Sequence, residues 1–280
     1  MSPTVFCEIP LAPWRLVNPS ALEATRHVPT MLAEAEQRLY HWLTAEWFTG
    51  AGDIVELGCL AGGSTARLAE GLRVGGAHGH IHAYDRFIVN ESGKAQHLYP
   101  AGVPAFEGDD LLPVAQQLLE PWEAHVSLYP GPIEARRWHG KSIELLVMDA
   151  SKSTDTADRF AEIFYPSLIP GRSFVVQQDY LHWKQPWVAA QMELMTSAFT
   201  PVAHAPQHTV VFRCDAPVDA SLLERGRVSG LDEAQLTALL RSARKRLRAL
   251  GLGKKVEPII HASRANPGVG RAGKMARRKL

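Results

Sequence analysis

Short apolar runs alternate with longer stretches of helical periodicity along most of this chain. Each run has the length and the apolar character expected of a strand buried in a sheet. Seven strands are predicted in this way, and the last two follow each other closely. The predicted strands are 54–57, 80–84, 125–129, 143–148 and 173–177, and a pair near Val202 and at 209–213.

Helical stretches separate the first five predicted strands, and this alternation is typical of a parallel, doubly wound α/β sheet. The last two strands are too close together for a helical connection, so they predict an antiparallel hairpin at one edge. A helix is predicted at 30–48, where Leu32, Leu39 and Leu43 recur on one apolar face. The pattern therefore predicts an α/β fold with a seven-stranded, mostly parallel sheet and an antiparallel strand at its edge.

The first predicted strand runs into a glycine-rich turn and then into a helix of small residues, within 54–72. Gly58 allows a sharp turn, and Gly62 and Gly63 leave room for a ligand to approach backbone N–H groups at the helix start. Their spacing matches neither the dinucleotide pattern G-x-G-x-x-G nor the lysine-containing phosphate-binding loop. The turn therefore predicts a site for another nucleoside cofactor. A tight turn that needs small residues only for packing is the alternative.

A second position supports a nucleoside site, because Asp85 ends the predicted strand 80–84. Its carboxylate can accept hydrogen bonds from both hydroxyls of a ribose at the carboxyl end of the strand, where open α/β sheets bind ligands. The alternative is an Asp that opens a surface turn. With the glycine turn upstream, we predict the ribose role.

The pattern E-x-G-x-x-x-G-G-[ST] in the glycine turn resembles motif I of the class I S-adenosylmethionine-dependent methyltransferases. The stretch 155–168 also resembles the crossing helix of this family, and it ends in the turn L-x-P-G at 168–171. With motif I, the resemblance covers roughly 30–215; it is nearest to bacterial sugar O-methyltransferases of the macrocin and mycinamicin type and more distant to catechol O-methyltransferases. It implies a Rossmann-like methyltransferase fold, S-adenosylmethionine as cofactor, and O-methylation of a small hydroxylated acceptor such as a sugar or glycoside. The residues implied in cofactor binding are Glu56, Gly58, Cys59, Gly62, Gly63, Ser64 and Asp85.

Acidic residues follow the fourth and fifth predicted strands, which end at the same edge of the sheet. In the relatives, residues at these points bind a divalent cation that orients and acidifies the acceptor hydroxyl. The corresponding residues here are Asp149, Gln178 and Asp179. Gln178 offers only a neutral amide oxygen, whereas Mg²⁺ prefers oxygen ligands and retains several waters. The resemblance therefore implies a Mg²⁺ site that these residues permit but do not require.

Without a metal, the acceptor hydroxyl needs a general base, and the candidates are Asp149, Asp179 and His182. An unperturbed histidine has the pKa best suited to this role near neutral pH. The alternative for His182 is a surface or aromatic-packed position between Tyr180 and Trp183. All three candidates stay open at this point.

Length and composition fit one α/β domain with additions, since 46% of the 280 residues are hydrophobic. The three cysteines are too scattered for a disulfide framework or a zinc site. The sequence contains no run of about 18 apolar residues, the length that would predict a membrane span. A cytoplasmic location is therefore expected. The predicted organisation is an N-terminal arm or lid at 1–28, a methyltransferase domain at 29–215, C-terminal helices at 216–250 and a basic, flexible tail at 251–280.

The net charge of +1 conceals an acidic body and a basic C-terminal part. Residues 241–280 contain 13 of the 30 Lys and Arg residues and a single acidic residue, Glu257. Such a block is usually a solvated tail, and the alternatives are docking on an anionic membrane, on a polyanion such as nucleic acid, or on an acidic protein surface. The relatives also suggest a homo-oligomer.

Two other functions stay open beside O-methylation. One is a catalytically inactive, methyltransferase-like scaffold whose basic tail docks on a membrane or polyanion. Gln178 favours this alternative, whereas the intact Glu56 and Asp85 argue against it, because a scaffold has no need of a cofactor site. The other is RNA methylation, which only the basic tail indicates.

Overall fold

The structure is a computed structural model that describes residues 9–277, and a sheet of seven strands forms its centre. All seven predicted strands are present, with bounds within a few residues of the predicted ones. They are β1 (Asp53–Leu57), β2 (Ile81–Asp85), β3 (Val126–Pro130), β4 (Ile143–Met148), β5 (Phe174–Gln177), β6 (Phe199–His204) and β7 (Val210–Cys214).

The order of the strands across the sheet is β3-β2-β1-β4-β5-β7-β6, and β7 alone of these seven runs against the others. β7 lies between β5 and β6, with Val211 opposite Val176 on one side and Ala203 on the other. The predicted antiparallel hairpin at this edge is confirmed, with β6 outermost. Seven strands with a reversed final one are also what the resemblance to class I methyltransferases implied.

Helices cover both faces of the sheet, so the central strands are buried on two sides. Every residue of β4 and β5 is buried, which explains why these strands are continuous apolar runs. No helix in the described part of the chain is long and apolar enough to span a membrane. The helices are α1 (Glu34–Trp42), α2 (Gly63–Gly75), α3 (Glu91–Gly93), α4 (Leu112–Leu119), α5 (Thr154–Phe164), α6 (Pro186–Leu194), α7 (Ala220–Arg225), α8 (Glu233–Arg246) and α9 (Glu257–Ala265).

Two hydrophobic clusters fill the space between the sheet and its helices, one on each face. Val55 and Leu57 of β1 belong to the cluster that includes α5, α6, α8 and α9. Ile54 of the same strand belongs to the cluster that includes α1, α2 and α4. Successive strand residues point to opposite faces, so β1 contributes to both clusters. The predicted doubly wound arrangement is confirmed.

The helix predicted at 30–48 begins later than expected, at Glu34, and ends in a wider π-type turn. A carboxylate oxygen of Glu36 accepts a hydrogen bond from the N–H of Ala33 at 3.0 Å and so caps the helix start. The hydroxyl of Thr30 instead accepts a hydrogen bond from the N–H of Leu32 at 3.1 Å. The residues before α1 therefore form a turn, which lies beside the glycine turn after β1.

The predicted N-terminal arm packs on the body through short 3₁₀ turns that contact α1 and α2. Arg67 of α2 donates hydrogen bonds to the carbonyl oxygens of Val28 and Gly63, both at 2.9 Å. This guanidinium ties the arm to the glycine turn. Residues 1–8 of the predicted arm and 278–280 of the predicted tail lie outside the described residues.

The C-terminal part of the chain is folded against the body, which corrects the expectation of a flexible tail for residues 251–277. A 3₁₀ turn at Gly253–Val256 leads directly into α9. Ile259 and Ile260 of α9 are buried in the same cluster as residues of α8. A loop after α9 then returns to the carboxyl edge of the sheet. Docking of the basic residues on a membrane or polyanion stays a prediction.

Candidate active site

The carboxyl ends of β1, β2, β4 and β5 meet at one edge of the sheet, where parallel α/β sheets bind ligands. Gly58, Asp85 and Asp149 come from three of these strand ends and line one open cleft of about 1020 Å³. A smaller recess shares Gly58 and Asp149 with this cleft and is lined in addition by Cys59, Gly63 and Ser64. The residues predicted for the cofactor and for the chemistry are therefore neighbours.

The glycine turn is packed tightly by the chain itself. A Cβ atom on Gly62, which has φ +88°, would lie 2.6 Å from Leu119 Cδ1. A Cβ atom on Gly63 would lie 2.1 Å from the carbonyl oxygen of Pro29. Glycine at these two positions therefore allows α4 and the turn before α1 to approach, which was the alternative interpretation of this turn. The first residues of α2, Gly63 and Ser64, follow directly and line the smaller recess.

Glu56 is a buried carboxyl group in β1, two residues before this turn begins at Gly58. Its Oε2 accepts a hydrogen bond from the Thr65 hydroxyl at 2.6 Å, while Oε1 is buried without a partner among the described residues. Burial raises the pKa of this carboxyl to about 7, and the Ser64 and Thr65 side chains oppose the shift. An unpaired buried acceptor is costly, so it fits a donor group of a bound ligand, reached directly or through water.

Asp85 links the end of β2 to the glycine turn. Its Oδ2 accepts a hydrogen bond from the N–H of Leu60, and its Oδ1 accepts one from the N–H of Phe87, both at 2.8 Å. Leu60 and Phe87 have φ of 51° and 52°, in the left-handed region that non-glycine residues rarely adopt. These bonds fix the carboxylate at the cleft, and each oxygen keeps further acceptor capacity for a ribose hydroxyl.

Lys152 lies between Asp149 and Asp179 and joins them into one ion-paired cluster. Its Nζ is 2.7 Å from Asp149 Oδ1 and 2.5 Å from Asp179 Oδ2. The two aspartates follow β4 and β5, which are neighbours in the sheet, so their side chains converge. An ammonium group therefore lies between the two carboxylates that were predicted to bind Mg²⁺.

The two carboxylates of this cluster have pKa values shifted in opposite directions. Burial raises the pKa of Asp149 to about 6, and the charge of Lys152 offsets only part of that shift. Burial acts on Asp179 as well, but Lys152 and a hydrogen bond from the Gln185 amide bring its pKa below the ordinary value. Asp149 is therefore the stronger base of the two.

The side chain of Gln178 is engaged in a separate buried network. Its Oε1 accepts a hydrogen bond from the Tyr40 hydroxyl at 2.9 Å and lies 2.9 Å from the Thr209 hydroxyl oxygen. Within residues 9–277, no group of three His, Cys, Asp or Glu side chains is arranged to hold a metal ion. With Lys152 pairing both carboxylates, Asp149, Gln178 and Asp179 do not fit Mg²⁺, which corrects the expected metal site.

His182 is half-buried just after β5, and its backbone N–H donates to the carbonyl oxygen of Asp179 at 3.0 Å. Its ring lies edge-on to His208, with the centroids 4.8 Å apart, and stacks on Trp183. Burial lowers the pKa of His182 from 6.5, although the charge of Asp179 opposes the shift. The imidazole is therefore neutral near pH 7. Asp149, by contrast, lines the cleft itself.

Five cationic residues line the cleft, and none of them was expected from the sequence: Arg86, Lys152, Arg159, Arg271 and Lys274. Lys152 had a usable signal, because it follows Asp149 by three positions at the end of a predicted strand. Arg271 and Lys274 also line the cleft, although they are distant in sequence from the strands that form it. They lie in a stretch of Gly, Pro and basic residues without strand or helix periodicity, and no signal there indicates a return to the sheet edge.

No protein-family model and no curated protein matches this chain. It is similar to a solved structure of the O-methyltransferase NovP, at 14% identity and a TM-score of 0.46, covering 67% of this chain and 82% of that one. It is also similar to an O-methyltransferase from Bacillus cereus in complex with SAH, at 15% identity and a TM-score of 0.44, covering 70% and 90%. Because the identities are low and the TM-scores lie below 0.5, the fold assignment rests on the strand order.

Proposed function

We propose that this protein is an S-adenosylmethionine-dependent O-methyltransferase that acts on a small hydroxylated acceptor. One observation carries the proposal: neighbouring strand ends at one edge of the sheet carry the glycine turn, the unpaired and buried Oε1 of Glu56 just before it, the fixed Asp85 carboxylate and the Asp149–Lys152 pair. The first three features suit a nucleoside cofactor. The ion-paired cluster suits the removal of a hydroxyl proton.

The cofactor supplies an electrophilic methyl group on a sulfonium. Asp85 would hold the ribose hydroxyls, because its carboxylate is the fixed acceptor at the end of β2. Gly63 and Ser64, the first residues of α2, line the smaller recess. The N–H groups and the positive dipole end of a helix start suit a carboxylate. Glu56 would balance a positively charged amino group through its free oxygen.

Asp149 is the residue that we assign to proton removal. Its raised pKa makes it a better base than an exposed aspartate, while it is still mostly ionised near pH 7. With the cofactor bound, its sulfonium would supply the methyl group to the acceptor oxygen and keep the carbon–sulfur electron pair, and Asp149 would take the hydroxyl proton. Lys152 would stabilise the negative charge that develops on the acceptor oxygen.

The acceptor that we propose is a sugar or glycoside. The open cleft of about 1020 Å³ is lined by charged and hydroxyl side chains such as Lys152, Ser153 and Thr156, which suits a polyhydroxylated molecule better than a flat apolar one.

Titration calorimetry with S-adenosylmethionine tests the cofactor site. We expect Asp85→Ala to weaken binding by about 1.5–3 kcal/mol, the range for a hydrogen bond to a charged group. Asp109→Ala is the matched control, because this aspartate is exposed in the loop before α4. Added Mg²⁺ or EDTA should leave the wild-type affinity unchanged. Equal affinity of the Asp85→Ala variant and the wild type would exclude the ribose role.

The pH dependence of turnover tests the base. With the acceptor from a panel of glycosides and catechols that releases SAH fastest, we expect kcat/KM to rise with pH through about 6 and then to level off. The sign follows because a base must lose its proton before it can act. Asp149→Asn should reduce kcat by about 10²–10⁴-fold. A loss of this size in His182→Ala, with Asp149→Asn active, would move the role to the histidine.

The second candidate function is a binding protein that has the cofactor site but no turnover. The double pairing of Lys152 with Asp149 and Asp179 favours it, because both carboxylates are occupied by the cation. The same panel separates the two functions. SAH binding without SAH release from S-adenosylmethionine by any member of the panel would favour the binding protein.

A further inference from the structure

The chain after α9 forms a loop that is closed by one side chain. Asn266 is buried, and its amide forms two hydrogen bonds with the backbone of Ala276: Nδ2 donates to the carbonyl oxygen at 2.9 Å and Oδ1 accepts from the N–H at 3.0 Å. Asn266 Nδ2 also donates to the carbonyl oxygen of Ala262 at 2.9 Å. The amide thus acts like a paired backbone unit and anchors both ends of the loop 266–276, which we call the C-terminal loop.

The tip of the C-terminal loop pairs with the segment that carries Lys152. The N–H of Ala272 donates to the carbonyl oxygen of Lys152 at 2.9 Å, and the N–H of Thr154 donates to the carbonyl oxygen of Gly270 at 3.0 Å. A Cβ atom on Gly270 would lie 2.9 Å from Thr154 Oγ1, so glycine permits this close approach. The loop tip is therefore held next to the ion-paired cluster.

The pairing places two cations on the cleft. Arg271 directly precedes a 3₁₀ turn at Ala272–Lys274, and Lys274 is its last residue. Side chains three positions apart lie on the same side of such a turn. Both are exposed and both line the cleft that contains Asp85 and Asp149.

These two cations differ from the others along the cleft. Arg86 pairs with Glu134 at 2.9 Å, Arg159 pairs with Glu162 at 3.1 Å, and Lys152 pairs with both aspartates. Within residues 9–277, Arg271 and Lys274 form no ion pair. The exposed Asp155 lines the same cleft, and its negative charge balances only one of these two cations.

We infer that the C-terminal loop is the acceptor-binding wall of the cleft and that Arg271 and Lys274 bind an anionic group, a phosphate ester or a carboxylate, on the hydroxylated acceptor. The inference rests on the proposed methyl transfer, because it identifies the class of molecule whose hydroxyl is presented to Asp149. A neutral acceptor would not require two unpaired cations at the edge of the cleft, whereas a phosphate or carboxylate can form charge-assisted hydrogen bonds with both.

Calorimetry on the SAH-loaded protein tests this wall with three hexoses: glucose, glucose 6-phosphate and glucuronate. We expect at least one anionic hexose to bind about tenfold or more tightly than glucose, as charge-assisted bonds to two cations allow. The stronger of the two identifies phosphate or carboxylate as the group. The double variant Arg271→Ala/Lys274→Ala should lose this preference.

The matched control is Lys254→Ala/Lys255→Ala, which removes two exposed cations from the preceding 3₁₀ turn and should leave the preference intact. Equal binding of all three hexoses by the wild type would overturn the inference, as would a preference that persists in the Arg271→Ala/Lys274→Ala variant. A loss of SAH affinity in that variant would also overturn it, because the cations would then serve the cofactor. Failure of the wild type to bind SAH would instead refute the proposed function.

Discussion

At the scale of single residues, Glu56 is the side chain of the candidate site that we expect to destabilise the fold most. It is fully buried, one of its oxygens has no partner among the described residues, and its pKa is raised to about 7. A carboxyl group in this state destabilises the protein when it is charged and unoccupied. The buried Glu56 therefore lowers the free energy of unfolding, and a ligand that donates a hydrogen bond to its Oε1 would offset this loss.

This cost predicts a specific pH dependence of stability. The pKa of Glu56 is about 7 in the folded protein against an ordinary 4.5, so its contribution is fully present below 4.5 and is lost as the pH rises to about 7. The loss amounts to about 3 kcal/mol at most. We expect Glu56→Gln to remove this part of the decline, because glutamine can keep the bond with Thr65 and does not titrate.

Urea unfolding of both proteins at pH 5 and at pH 7 measures this difference. Glu23→Gln serves as the control, since Glu23 lies in the exposed part of a 3₁₀ turn and should leave the decline unchanged. The same slope of unfolding free energy against pH in the wild type and in Glu56→Gln would show that Glu56 does not titrate in this range.

Residues differ in how far their roles can be predicted from sequence. Asp85 and Asp149 reach the cleft as predicted, because the carboxyl ends of parallel strands meet at one edge. Gln178 does not join Asp179, because Tyr40 and Thr209, which are distant in sequence, engage its side-chain oxygen. The direction of a side chain depends on partners that no local pattern identifies.

At the scale of elements, the strands were the most predictable features, and the segments between them the least. Continuous apolar runs predict β4 and β5 well, because burial on both faces leaves little choice of residue. The start of α1 was misplaced, because Thr30 forms a turn and Glu36 caps the helix from within. Caps depend on single hydrogen bonds, so periodicity locates a helix better than it locates the helix ends.

The C-terminal loop offers a test at this scale. Asn266→Ala removes three hydrogen bonds of a buried amide and leaves the backbone N–H and carbonyl groups of Ala276 without these partners. We expect a loss of about 1–3 kcal/mol in unfolding free energy and faster proteolysis within 266–277. Asn266→Asp keeps the acceptor for the Ala276 N–H and should be less affected. Equal protease resistance of Asn266→Ala and the wild type would contradict this account of the closure.

At the scale of the whole molecule, the C-terminal part belongs to the core of the protein. Leu252, Val256, Ile259 and Ile260 are all buried in the cluster with α8, and burying one such side chain stabilises a fold by about 1.5–3 kcal/mol. We expect deletion of 251–280 to abolish cooperative unfolding or to lower the melting temperature strongly, as calorimetry of the truncated chain would measure.

The control is the variant Lys254→Ala/Lys255→Ala, which removes two exposed positive charges and leaves the buried apolar residues in place. Its melting temperature should be close to that of the wild type. A truncated chain with the wild-type melting temperature would contradict this assignment.

The flexible tail was predicted from the density of Lys and Arg, but those residues occupy the outer positions of segments whose apolar residues face inward. Charge composition describes a surface and does not distinguish a folded segment from a free one.

The two hydrogen bonds that Asp85 accepts from the N–H groups of Leu60 and Phe87 make these amides a probe of hydrogen exchange at this edge of the sheet. Both amides lie in loops, where hydrogen exchange with solvent is ordinarily fast, yet one carboxylate shields both of them. Deuterium uptake at the two positions should therefore slow down or speed up together, although 27 positions in the chain separate Leu60 from Phe87. Their joint exchange rate therefore measures whether this edge of the sheet is intact, without the need for a bound ligand.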